Sequence, residues 1–162
     1  MAHKVNIYEN GFDEDGVLRP SRIIETDDAA EAERLVREEM SRTNSMMAAD
    51  VHVDWRLCSS IEEYVRLGNA PARWLAENPI DGCFMSLLVE DPEHWAQYGV
   101  TTPEELEKHR LLQSYSDHYK ETYGVRPRHH GMTMETPIEE IEAAYDRLAD
   151  MAPREDDQSP GL

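Results

Sequence analysis

The sequence predicts an α+β fold. Clean alternation of apolar and polar residues occurs only before residue 58, and helix-start signals follow one another after it. The expected architecture is a small antiparallel sheet in the order β-β-α-β, with a helical C-terminal part packed on it. Residues 1–150 are expected to form a single domain, with an α/β part over 1–58 and a helical part over 59–150. The last stretch, MAPREDDQSPGL over 151–162, reads as a disordered tail.

Taken in order, HKVNIYE places Val5 and Ile7 at strand spacing. ENGFDEDG, rich in Gly, Asn and Asp, reads as a hairpin loop. Pro20 then sets the start of a second strand over Ser21 to Glu25. Asp28 with Glu31 three residues on has the form of a capping box. The helix it opens should run to about Ser41, with Ala32, Leu35, Val36 and Met40 on one face. DVHVDWRLC alternates throughout, so a strand is expected across it, with His52, Asp54 and Arg56 sharing the polar face.

Ser60 and Glu63 form a second capping box, and Gly68 stops the short helix it opens. Asn69 is placed to cap another helix carrying Trp74 and Leu75. CFMSLLV, residues 83–89, is a continuous apolar run; periodicity does not separate strand from helix there, and its length and position lean towards helix. Asp91-Pro92 starts a short helix with Trp95 and Tyr98. Thr102-Pro103-Glu104-Glu105 starts the longest one, expected to reach Tyr123 with Gly124 as its stop. Thr136-Pro137-Ile138-Glu139 repeats that signal before a last helix with Ile138, Ile141, Tyr145 and Leu148 on one stripe.

Charge sets the function classes. The chain of 162 residues carries 34 acidic against 16 basic residues, a net of −18. Such a field repels nucleic acid and anionic membrane and attracts basic partners, including the nucleic-acid grooves of other proteins. High charge also serves solubility, and few lysines with many acids fit adaptation to salt. Cys58 and Cys83 are too few for a disulfide framework and lack metal-binding spacing, so buried free thiols are expected. With no membrane-length apolar run and no signal-peptide pattern, a cytoplasmic protein is the expectation.

Chemistry-bearing residues concentrate in YSDHYKETYGVRPRHHG, residues 115–131. His109, Leu112, Ser116, Tyr119 and Tyr123 share one helix face, as a packed face or as a stacking and hydrogen-bonding platform. After Gly124, Pro127 stiffens the chain between Arg126 and Arg128. Those guanidiniums could grip carboxylates or phosphates of a ligand, or carboxylates of the chain itself such as Asp117 or Glu121. His129 and His130 complete the candidate binding set of Tyr119, Tyr123, Arg126, Arg128, His129 and His130. No zinc motif, no nucleophile elbow and no phosphate-cradling glycine loop is present, so no metal, cofactor or catalytic residue is assigned.

Within this segment Ser116, Asp117, Lys120, Tyr123, Gly124, Arg126, Pro127 and Arg128 follow a Ser-Asp-x-x-Lys-x-x-Tyr-Gly-x-Arg-Pro-Arg pattern. The pattern, over about fourteen residues, resembles a helix-plus-loop motif of small uncharacterised proteins of phages and other mobile elements. The resemblance implies a mobile-element origin, a class in which small acidic proteins often antagonise host defence by occupying nucleic-acid sites. The leading expectation is therefore an acidic interaction protein whose partner is a protein with a basic surface. Neither nucleic acid nor membrane is bound directly, and the last helix offers a stripe for a homodimer. The alternative is a small enzyme or ligand-binding domain using the Tyr/Arg/His cluster over 109–130. Convergence of Asp117, His118, His129 and His130 in a pocket would mark it.

Overall fold

The computed structural model describes residues 1–127 and 131–151. The described residues form one three-stranded antiparallel sheet and six α-helices, the α+β class expected from the alternation and the helix-start signals. They divide into two compact units, one ending at Pro103 and one beginning at Glu104.

In the first unit β1 (His3–Ile7) is the central strand, with β2 (Arg22–Thr26) on one side and β3 (Ala49–His52) on the other. Val5 lies opposite Ile24 in β2 and Val51 in β3. His3, Val5 and Ile7 point to the buried face, as a period of two requires. The β1–β2 connection turns at Asp13, whose carboxylate accepts from the N–H groups of Asp15 and Val17, both at 2.9 Å. Gly16 takes φ 75° there, a conformation most side chains resist.

Helix α1 (Ala29–Thr43) covers the buried face of the sheet, and Ala32, Val36 and Met40 are fully buried. Asp28 caps it by accepting from Ala30 N–H at 3.0 Å. Glu31 does not complete a capping box: its carboxylate turns outward to Arg34 instead. Asn44 ends the helix in the left-handed conformation at φ 50°.

Helices α2 (Ile61–Gly68) and α3 (Ala70–Glu77) pack against α1 and β3. Trp74 of α3 is buried and donates its indole N–H to Ser41 of α1 at 2.7 Å. Arg73–Glu33 and Arg37–Glu77 bracket that contact from the same pair of helices. Helix α4 (Pro92–Ala96) follows, capped by Asp91, with Trp95 and Val100 buried behind it.

The second unit contains α5 (Pro103–Tyr123, from the last residue of the first unit) and α6 (Ile138–Met151). Lys108 donates to the carbonyl of Met134 at 3.2 Å, and the His118 ring stacks on Tyr145. Ile138, Ile141 and Leu148 are buried in the single chain, so this stripe is not free to pair with a second copy. The tail expected from residue 151 lies outside the described residues, apart from Met151 itself.

Three further expectations are corrected. The strand over residues 50–58 ends at His52, because Asp54 stops it. Its N–H is taken by the imidazole of His3, and its carboxylate caps a 3-10 turn at Trp55–Leu57 by accepting from Arg56 N–H. Residues 83–89 are neither helix nor strand; they run as an irregular strap on the surface. The thiols are not both buried: Cys83 is exposed, while burial pushes the half-buried Cys58 up to about 12.

His3 carries a measurable consequence. It is fully buried, its Nδ1 accepts from Asp54 N–H at 3.0 Å, and its Nε2 has no partner. Burial holds its pKa below the ordinary 6.5, against the opposing pull of Asp54, Glu63 and Asp27. The unfolded chain therefore takes up a proton near 6.5 that the folded chain refuses. The neutral-imidazole contribution is complete above that pH and is lost as pH falls below it. Urea midpoints measured downward from about pH 8 should fall more steeply for the wild type than for His3→Asn. Asn keeps an acceptor near Nδ1 and does not titrate, so parallel profiles would remove this role.

Candidate functional site

The expected tyrosine face forms on α5. The ring centroids of Tyr115 and Tyr119 lie 6.1 Å apart, and those of Tyr119 and Tyr123 4.6 Å apart at 51°. The spacing of four residues stacks them along one side of the helix. Tyr119 is half-buried and Tyr123 exposed.

After Tyr123 the chain turns at Gly124, φ 79°, whose N–H donates to the Lys120 carbonyl at 2.7 Å. The turn swings Arg126 back along the helix. Its Nη1 donates to Asp117 Oδ1 at 2.7 Å and to Ser116 Oγ at 2.9 Å. One guanidinium thus has an internal carboxylate, one of the two pairings considered from sequence. Arg128, His129 and His130 lie outside the described residues.

Asp117 and His118 are neighbours in sequence but turn to different partners. Asp117 faces Arg126, while His118 stacks on Tyr145 with centroids 5.7 Å apart and an interplanar angle of 28°. Glu121 lies 3.9 Å from His118 Nδ1, beyond hydrogen-bond reach. Among the described residues no three His, Cys, Asp or Glu side chains are grouped as metal ligands would be. Elsewhere, Tyr8 donates to Asp50 at 2.9 Å, and burial together with that bond raises its phenol to about 12, so it stays protonated.

A second feature escaped the sequence reading. Asn69, 3% exposed at the junction of α2 and α3, makes no side-chain cap. Its amide instead reads the backbone of Leu88 in both directions. Nδ2 donates to the Leu88 carbonyl at 2.8 Å, and Oδ1 accepts from Leu88 N–H at 2.9 Å. Trp95 adds a bond from its indole N–H to the Val89 carbonyl at 2.7 Å. These contacts hold the strap at residues 88 and 89, while Phe84, Met85, Leu87 and Val89 remain exposed. Between the strap and α3 lies an open hollow of about 270 Å³ lined by Ala72, Leu75, Ala76 and Pro79 on the α3 side. An asparagine at a helix junction reads equally as a cap, so only its burial reveals the clamp.

Compared with known proteins, the chain matches no family model, no curated protein and no solved structure. Among the described residues no helix is long and apolar enough to cross a membrane.

The Arg126–Asp117 pair is open to solvent, with the two side chains 55% and 54% exposed. Water screens such a pair, and it contributes less than about 1 kcal/mol. Arg126→Ala should therefore leave the urea midpoint nearly unchanged. A loss well above about 1 kcal/mol would mean that the arginine holds more than this exposed pair.

Proposed function

We propose that this chain is an acidic interaction protein of a phage or other mobile element. It acts by occupying a basic or nucleic-acid-binding surface on another protein, as an antagonist of host defence would. The observation that carries the reading is how the cations are used. Arg19, Arg22, Arg34, Arg37, Arg42, Arg56, Arg73 and Arg126 each pair with a carboxylate of the chain itself. With 34 acids against 16 bases, carboxylates outnumber the cations that could pair with them.

That distribution favours steering of a basic partner over capture of an anion, because arginines held by internal carboxylates offer little to a phosphate. Arg126, three residues after the last tyrosine of that face, follows this pattern. The mobile-element resemblance of residues 115–128 supports the setting, and the surface charge supports the mode of action.

Attraction between exposed charges is screened over about 8 Å at physiological salt. Immobilised chain incubated with host lysate at low salt should retain a basic, nucleic-acid-binding protein. Molar salt should release it, and added nucleic acid should displace it. Retention of no such protein, or retention unchanged in molar salt, would contradict the reading.

A further inference from the structure

We propose that the strap, residues 83–89, is the element by which this chain docks into an apolar pocket rimmed by lysine and arginine on a partner protein. The inference rests on the acidic-interaction reading and adds to it a contact surface and the chemistry of the surface it meets.

The apolar content of the strap faces water. Phe84 is 84% exposed, Leu87 52% and Val89 43%, within six residues of chain. Scattered single apolar residues on a surface need no explanation, but a contiguous group marks a contact site. Phe84 edges the open hollow beside α3, yet at 84% exposure most of its surface is left for a partner to cover.

The strap is also held in place. At its start Gly82 turns with φ 79°, and Cys83 N–H donates to the Ile80 carbonyl at 3.0 Å. At its end the Asn69 amide and the Trp95 indole fix the backbone of Leu88 and Val89. A segment tied at both ends loses less freedom on binding than a free loop, and affinity gains accordingly.

Charge selects the occupant. Asp81 precedes the strap and Glu90, Asp91 and Glu93 follow it; all four are exposed, and none belongs to an ion pair among the described residues. The sequence has no lysine or arginine between Arg73 and Lys108. A second copy of the chain would set these acids against themselves, and an anionic membrane would be repelled. The complement is an apolar pocket with a cationic rim, the usual anatomy of a contact with a dry centre and a polar edge.

The test uses the full chain with Phe84→p-benzoylphenylalanine as a photo-crosslinker, exposed to host lysate at low salt, with the crosslinked peptide of the partner sequenced. The purified partner is then titrated with wild type and with the Phe84→Ser/Leu87→Ser double variant. Because both side chains lie in water, the variant should keep the wild-type circular dichroism. The proposal expects the crosslink on an apolar segment flanked by Lys or Arg, and affinity weakened about tenfold or more in the double variant. Equal binding of wild type and variant overturns the strap while leaving the acidic reading intact. A crosslink on a second copy of this chain, or on a pocket without basic residues, overturns the stated occupant. If nothing is captured in a salt-sensitive way by either protein, the acidic reading fails and the strap proposal fails with it.

Discussion

Burial of one narrow stripe on α1 organises the first unit. Ala32, Val36 and Met40 are fully buried, and the helix touches the sheet as well as α2 and α3. Much of the rest of its surface is charged, with Arg34, Glu38 and Arg42 exposed. One short stripe therefore serves two layers, which is why its residues leave no exposed area. Burial of Val36 and of Met40 contributes about 1.5–3 kcal/mol each relative to exposure, so no surface ion pair on this helix weighs as much.

From α1 the order passes to α3 through the Trp74–Ser41 bond, and from α3 to the strap through Asn69. The amide of Asn69 matches a peptide group in its donor and acceptor, so it can take the place of a neighbouring strand for a single residue. Leu88 is satisfied in this way without a ladder, and the apolar side chains of Phe84, Met85 and Leu87 before it lie exposed. The acidic residues on either side then determine which surfaces can approach.

Periodicity made much of this legible. Alternation at Val5 and Ile7, the Asp28 cap and the α1 stripe, the Ser60 cap and the Gly124 stop all appear where their local chemistry puts them. Two of the misreadings share a cause: a distant side chain took a backbone group that the local pattern had assigned elsewhere. His3 takes the Asp54 N–H from fifty-one residues away and ends a strand whose alternation continues through Leu57. Asn69 takes both groups of Leu88 from nineteen residues away, so an apolar run becomes neither helix nor strand. In the candidate site, the Arg126–Asp117 pairing was legible because its partners are close in sequence and opposite in charge. The strap was not, since an apolar run is ordinarily read as core.

Amide hydrogen exchange along the strap tests the central claim most directly. The account predicts a protected N–H at Leu88, with Phe84 to Leu87 exchanging near the rate of an unstructured chain. In Asn69→Ala the protection at Leu88 should vanish while the β1 amides stay protected. Uniform protection from Phe84 to Leu88, or protection at Leu88 that survives Asn69→Ala, would contradict a strap clamped by this one amide and displayed to solvent.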